Sequence, residues 1–333
     1  MRAWQVSELG EPQDVLRLVD VPEPEAHAGM LRLRVDAVAL NFPDVLLCRG
    51  TYQEKPPLPF TPGLEVSGTV LDGPRSGERV LSGTVLPHGG LAEQVVVPAV
   101  GAHAVPDDMP SAKAASLLVT YQTGWVGLHR RAQLRAGETL LVHAGAGGVG
   151  SAAIQLGKAA GARVIATAGG PEKTKVCEEL GADVVIDYLA EDFVSVVKDV
   201  TAGRGADVIY DAVGGDVFDR SRRCIAFEGR IVVVGFAGGR IADAPTNHVL
   251  VKNYSVVGLH HHLYRHYEPQ VFAETHAALV DLWSRREIDP LVGAELPLEQ
   301  APQALARLSD RGTIGKVVLL PEQHPGARGT LSP

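Results

Sequence analysis

The segment His143-Ala144-Gly145-Ala146-Gly147-Gly148-Val149-Gly150 has the residue types and spacing of a phosphate cradle. Gly145, Gly147 and Gly150 satisfy the pattern Gly-x-Gly-x-x-Gly. The first glycine permits a tight turn, and the second lets backbone approach a pyrophosphate. The third lets a helix and a strand pack closely. A strand-like apolar run at 140–142 leads in, and a helical pattern at 149–159 leads out. Gly147, Gly148 and Val149 then open a helix whose unpaired N–H groups and dipole favour an anion. This context points to a dinucleotide, where an isolated glycine pattern would not.

The next apolar run, 163–167, ends in Ala168-Gly169-Gly170-Pro171-Glu172-Lys173. NAD asks for a carboxylate at this tip to hold its ribose 2′-hydroxyl. No acid ends the run. Gly169 and Gly170 leave room for a 2′-phosphate, and Lys173 can reach back to it as a point charge. Arg163 and Lys175 are weaker substitutes for that role. The cofactor expected is NADPH.

These loops need a scaffold. From residue 2 to about 105, short β-type runs at 15–21, 31–40, 66–71, 79–81 and 91–97 alternate with prolines that belong in loops and at strand edges. This part reads as a β-rich, barrel-like domain. A helical stretch follows Ser111 through Leu118, Trp125 and Leu128. Strands at 140–142, 163–167, 184–186, 207–210, 230–234 and 255–257 then alternate with helices near 149–159, 172–180, 193–200 and 217–224. Such alternation is the pattern of a parallel sheet covered on both faces, here a doubly wound, α/β nucleotide-binding (Rossmann) sheet. Gly235 and Phe236 close the fifth strand, at the carboxyl edge where ligands bind in such sheets. Helices near 271–286 and 301–307 and a strand at 315–320 follow.

Composition bounds the alternatives. The 333 residues are 45% hydrophobic and 21% charged, enough to bury a large core in about two domains. A net charge of -8 offers no basic footprint for nucleic acid or anionic lipid. Three scattered cysteines, Cys48, Cys177 and Cys224, fit a reducing compartment. The N-terminus lacks the apolar core of an export signal, and a cytoplasmic location is expected. Residues 139–157 lack Asp, Glu, Lys and Arg, but His143, Ser151, Gln155 and the glycines argue for a packed soluble segment.

Three stretches are more specific. One is Gly137-Glu138-Thr139-Leu140-Leu141-Val142 running into the glycine loop, with Gln155 and Lys158 beyond it. Another runs from Asn41-Phe42-Pro43-Asp44 through Arg49-Gly50-Thr51-Tyr52 to Pro59-Phe60-Thr61-Pro62-Gly63. The last is Gly312-Thr313-Ile314-Gly315-Lys316-Val317-Val318-Leu319. On these residues nearly the whole chain resembles the zinc-free quinone oxidoreductase (zeta-crystallin-like) branch of the medium-chain dehydrogenase/reductase superfamily. The resemblance implies a GroES-like catalytic domain at 1–120 and 262–322, with a Rossmann domain at 121–261 inserted into it. Residues 323–333 would be a flexible tail. It also implies a homodimer that pairs through the nucleotide-binding sheets.

Zinc-dependent relatives carry Gly-His-Glu, whose histidine binds catalytic zinc. Here the matching residues are Gly63-Leu64-Glu65, and the isolated cysteines cannot form a structural zinc lobe. No metal is expected. Without a Lewis acid for a single oxygen, the suited acceptors are those that spread charge themselves, such as quinones or enones.

The resemblance also implies site roles. Asn41, ending a strand, matches an asparagine on the nicotinamide ribose. Thr123 matches a threonine near the nicotinamide, and Tyr188 a tyrosine near the 2′-phosphate. Tyr52 lies eleven residues after Asn41, the spacing at which related enoyl thioester reductases carry a proposed proton donor. Lys316 matches the family's Gly-Lys and either lines the site or is structural. Arg49 either contacts the acceptor or is a solvated charge, and Cys48 reads as packing.

His260-His261-His262, with His266 nearby, reads as a mobile, extended loop bordering the substrate cleft and open to adventitious nickel or zinc. Adjacent histidines there would face opposite ways, which is poor for one ion. The leading expectation is NADPH-dependent reduction of a quinone. Reduction of an activated carbon–carbon double bond, with Tyr52 as proton donor, is the alternative. A non-catalytic NADPH-binding or RNA-binding scaffold is the third reading.

Overall fold

The computed structural model describes residues 1–321, so the expected tail at 323–333 lies outside the described residues. The chain divides into two units. One holds Met1–Val119 and the chain from Pro290 onward, and the other holds Thr120–Asp289. The return point differs from the sequence expectation, because residues 262–289 belong to the second unit. The helix Gln270–Ser284 packs on Gln122–Trp125 within that unit. Gln155 closes its end by donating to the Asp289 carbonyl at 2.9 Å and accepting the Asp289 N–H at 2.5 Å.

In the first unit a seven-stranded sheet runs Val292–Pro297, Lys316–Leu320, Met30–Ala39, Glu65–Val70, Arg79–Gly83, His103–Ala104, with Gln94–Pro98 also paired to Met30–Ala39. A separate two-stranded sheet joins Arg2–Val6 to Leu16–Asp20. Alternate residues of Met30–Ala39 point inward, so Leu31, Leu33 and Val35 are buried with Phe60, Val66 and Leu319 in one apolar cluster. Each such side chain contributes about 1.5–3 kcal/mol relative to exposure. The terminal strand Lys316–Leu320 pairs antiparallel with Met30–Ala39, Val318 opposite Ala39. That register carries Lys316 to the end of the strand that leads into Asn41.

Asn41 itself does not end a strand. The strand stops at Ala39, and Asn41, extended at φ -129°, caps the helix Phe42–Arg49. Pro43 suits its first turn, where the missing N–H has no intrahelical partner. Asp44 reaches back to accept the Asn41 N–H at 2.8 Å. Gly50, left-handed at φ 68°, ends the helix.

The second unit holds the six-stranded sheet. Its order is Val184–Asp187, Arg163–Ala168, Thr139–Val142, Ala206–Asp211, Ile225–Val233, Ser255–Gly258, all neighbours parallel. In chain order these are the third, second, first, fourth, fifth and sixth strands, the doubly wound dinucleotide-binding order. Helices Gly148–Ala159, Pro171–Glu179 and Phe193–Val200 link the first four, as their periodicity predicts. Thr246–Lys252 is a helix with no buried residue, and it lacks the apolar stripe that would reveal it. The stretch from Ser111 alternates α-helical turns with π-helical ones at Leu117–Tyr121 and Val126–Arg131. No helix among the described residues is long and apolar enough to cross a membrane.

Candidate functional site

The glycine loop follows the first strand of the parallel sheet and enters the helix Gly148–Ala159. A Cβ at Gly150 would lie 2.1 Å from the Ala144 carbonyl oxygen, so helix and loop approach as closely as backbone allows. At Gly145 it would press on Cys177 Sγ at 2.8 Å. Gly147 differs, since a Cβ there would meet only Ala144 O at 3.3 Å. That contact is tight but the least crowded of the three, and bare backbone at this point leaves room for the close approach of a ligand. The first intrahelical bond, Ser151 N–H to Gly147 O at 2.8 Å, leaves the N–H groups of Gly148, Val149 and Gly150 ahead of it. Bare backbone, free N–H groups and the helix dipole fit a pyrophosphate.

His143 begins this segment but faces inward. Its Nδ1 lies 3.0 Å from Thr167 Oγ1 and its Nε2 2.9 Å from Ser221 Oγ. Ser221 already donates to Val217 O at 2.7 Å. It therefore accepts from Nε2–H, and Nδ1 accepts from Thr167. Burial pushes the imidazole down to about 4, so His143 is a neutral structural bridge.

The second strand ends at Ala168, in register with Asp187 of the third. A Cβ on Gly169 would sit 2.6 Å from the Tyr188 hydroxyl, so the phenol rests against that glycine. Gly170, at φ 83°, caps the helix Pro171–Glu179, and its N–H donates to Asp187 Oδ1 at 3.0 Å. Lys173 lies in the first turn of that helix. The structure thus gathers Gly169, Gly170, Lys173 and Tyr188 at one carboxyl edge. Lys175 instead faces Glu179 at 3.7 Å, and Arg163 donates to Val200 O at 2.6 Å.

Gly235 and Phe236 follow the fifth strand, beside the loop that leaves the fourth. Gly235 N–H donates to Asp211 O at 3.4 Å, and Ala237 N–H to Ala212 O at 3.1 Å. A Cβ on Gly214 would meet the Phe236 ring at 2.9 Å. Thr123 lies half-buried in the short helix Gln122–Trp125, between the two π-helical turns, a geometry common at functional sites.

In the first unit, Asn41 and Lys316 meet in a buried polar cluster with Glu65 and Asp44, two acids the sequence analysis does not single out. Lys316 Nζ donates to Leu40 O at 2.6 Å, Asn41 Oδ1 at 2.7 Å and Glu65 Oε1 at 2.8 Å. All three of its protons are engaged, so it holds Asn41 rather than reaching for a phosphate. Asn41 Nδ2 donates to Ala39 O at 3.1 Å and Glu65 Oε1 at 2.9 Å. Glu65 Oε2 accepts the Val119 N–H at 2.7 Å. Asp44 accepts the N–H groups of Asn41 at 2.8 Å and Gly63 at 2.9 Å. Burial pushes its carboxyl up to about 6 against those two bonds. The signals for both acids are in the sequence: Asp44 is the third residue of an Asn-Phe-Pro-Asp helix start, and Glu65 follows Gly63-Leu64.

Tyr52 is half-buried against the apolar cluster, and its hydroxyl bonds no other described residue. Burial, then the charges of Glu54 and Asp44, push the phenol up to about 12, so it stays protonated. Arg49 pairs with Glu11 at 2.8 and 2.7 Å and with Ser309 at 2.8 Å, which identifies it as a surface anchor. Cys48 is buried, its thiol pushed up to about 12 by desolvation. The histidine run is a turn, His261–Leu263, rather than an extended loop, and His260 and His262 stack at 6.5 Å. Among the described residues no three His, Cys, Asp or Glu side chains group as metal ligands.

Comparison with known proteins agrees with both halves. The family model described as alcohol dehydrogenase GroES-like domain matches residues 27–107, and that described as zinc-binding dehydrogenase matches residues 148–277. A quinone oxidoreductase-like protein 2 homolog from Nematostella vectensis is 38% identical over 331 residues, covering 97% of this chain and 89% of that protein. The quinone oxidoreductase of Lama guanicoe is 32% identical over 331 residues, covering 96% and 97%. Among solved structures, the quinone oxidoreductase of Thermus thermophilus, studied alone and with NADPH, superposes with a TM-score of 0.85. It is 37% identical and covers 96% of this chain and 100% of its own. The chain belongs to the quinone oxidoreductase (zeta-crystallin-like) family of the medium-chain dehydrogenase/reductase superfamily.

Proposed function

We propose that this protein is an NADPH-dependent, zinc-independent reductase of quinones. The observation that carries the reading is the carboxyl end of the second and third strands. Gly169 and Gly170 are bare there, Tyr188 lies against Gly169, and Lys173 stands in the first turn of the helix. A 2′-phosphate fits that edge, and the glycine loop beside it fits the pyrophosphate. Leu64 stands where zinc-dependent relatives have a histidine ligand, which supports chemistry without that metal.

NADPH, when bound, supplies a hydride. In the first unit Asn41 would contact the nicotinamide ribose, and in the second unit Thr123 and the backbone at Gly235 and Phe236 would contact the cofactor. Tyr52 keeps its proton on Oη and can give it to the acceptor oxygen, so a quinone that takes a hydride and this proton becomes a hydroquinone. The protein then contributes orientation and one proton, and the acceptor spreads the incoming charge itself.

The unengaged, protonated Tyr52 also favours a second reading, reduction of an enone or enoyl thioester with Tyr52 protonating the enolate. NADPH oxidation measured with quinones, enones and enoyl thioesters separates the two. Quinone turnover with NADPH preferred over NADH is expected, and tighter binding of NADH would overturn the cofactor assignment. Tyr52→Phe should abolish enone turnover and slow quinone turnover far less, because a hydroquinone anion can also take its proton from water. Unchanged rates with both would remove Tyr52 from the mechanism.

The edge strand Ser255–Gly258, with Val256 exposed and Leu250 and Val251 exposed on the preceding helix, suits pairing with a second copy. A dimer by light scattering is the expected state.

A further inference from the structure

We propose that Glu65 and Lys316 are positioning residues that lock the Asn41 carboxamide in one orientation, so that Asn41 meets its ligand only as an acceptor for a hydroxyl donor. This rests on the reading of Asn41 as a cofactor contact.

An ammonium has three donors and no lone pair, and an ionised carboxylate only accepts. Lys316 therefore demands an oxygen from Asn41, and Glu65 demands an N–H. Both demands are met at once, with Oδ1 on Lys316 Nζ at 2.7 Å and Nδ2 on Glu65 Oε1 at 2.9 Å. The second Nδ2 proton goes to Ala39 O at 3.1 Å. Turning the amide over would set N–H against ammonium and oxygen against both carboxylate and carbonyl. The side chains of Lys316 and Glu65 are 4% and 0% exposed, so no water relieves such contacts and their cost is high.

The backbone of Asn41 is fixed independently by Asp44, which takes its N–H at 2.8 Å. With both Nδ2 protons given to Ala39 O and Glu65 Oε1, Asn41, itself 6% exposed, can meet a ligand only through Oδ1. A sugar hydroxyl can donate to it, whereas a phosphate or carbonyl oxygen cannot. A buried ion pair adds little stability over an apolar pair of similar volume, and orientation of the amide is what this one supplies.

The test is a cycle with the full-length protein and NADPH. Removing both charges together, as Glu65→Gln with Lys316→Met, avoids an unpaired buried charge. The NADPH Kd and KM should rise about tenfold with kcat falling less than about threefold. Asn41→Ala should weaken NADPH similarly, and the triple variant should be no worse than Asn41→Ala alone. Additive losses in the triple variant, or an unchanged Kd in the double one while Asn41→Ala weakens binding, overturn the positioning role. If Asn41→Ala leaves NADPH binding unchanged, the reading of Asn41 as a cofactor contact falls, and the inference falls with it.

A second measurement does not depend on the double variant folding. An NADPH analogue lacking the nicotinamide-ribose hydroxyls should bind wild type and Asn41→Ala equally. Continued discrimination between the two proteins would show that Asn41 reads something other than a hydroxyl.

Discussion

At the glycine loop of the second unit, what would meet a ligand is backbone. Gly147 offers a bare Cα, and the N–H groups of Gly148, Val149 and Gly150 lie ahead of the first intrahelical bond. In the first unit the corresponding group is a side chain, Asn41, held by Lys316 and Glu65 from distant parts of the chain. Backbone recognition needs residues that take up no space and lie next to one another. Side-chain recognition needs partners that fix the orientation of a flexible group. The first region is therefore sensitive to added atoms, and the second to removed charge.

That contrast is open to direct tests. Gly150→Ala should have the largest effect, because its Cβ would lie 2.1 Å from the Ala144 carbonyl oxygen. Displacing the loop should lower NADPH affinity by roughly 100-fold or more, read by fluorescence titration. Near-normal affinity would break the backbone side of the comparison. Lys316→Met should come next, because it removes the cation from a fully buried ion pair with Glu65. Urea unfolding should show a loss of about 3–5 kcal/mol, most of it recovered when Glu65→Gln is added. A stable single variant would break the side-chain half.

The two regions also respond to acid in opposite directions. His143 is pushed down to about 4 by burial. Its contribution is present above its unfolded value of about 6.5 and is lost as pH falls through 4, by roughly 3 kcal/mol. Asp44 is pushed up to about 6, so its contribution is present at low pH and is lost as pH rises through 6. Hydrogen exchange between about pH 7 and pH 4 should loosen the Thr167–Ser221 neighbourhood, and His143→Gln should abolish that response. The smallest effect is expected at the second-strand edge. Lys173→Ala should weaken NADPH about tenfold and leave NADH unchanged, since one charge-assisted contact is removed. Equal losses for both cofactors would remove Lys173 from the 2′-phosphate.

The parallel sheet was legible because its signals are local. Four- to six-residue apolar strands, the glycine loop and the helix Phe193–Val200 each lie within one stretch of sequence. The helix Phe42–Arg49 was not read from the sequence, although Asn41, Pro43, Asp44 and Gly50 mark its ends, because the prolines around it suggest a turn more strongly. The short strands Arg2–Val6, His103–Ala104 and Val292–Pro297 carry no period long enough to identify them, and pairing alone makes them strands. Residues 262–289 read equally well as part of either unit, because an amphipathic helix does not name the surface it covers.

From the sequence alone the dinucleotide loop, the absence of an acid at the end of the second strand and the lack of a histidine beside Glu65 were already determined, since each depends on which residues are neighbours in the chain. The contacts of Lys316 were decided only by tertiary structure. The lysine stands 275 positions from Asn41 and 251 from Glu65, and nothing local distinguishes a lysine that binds a ligand from one that holds another residue in place. The pairing of the terminal strand with Met30–Ala39 brings all three together. Burial there leaves each donor and acceptor one available partner, and that constraint turns three scattered polar residues into one oriented group.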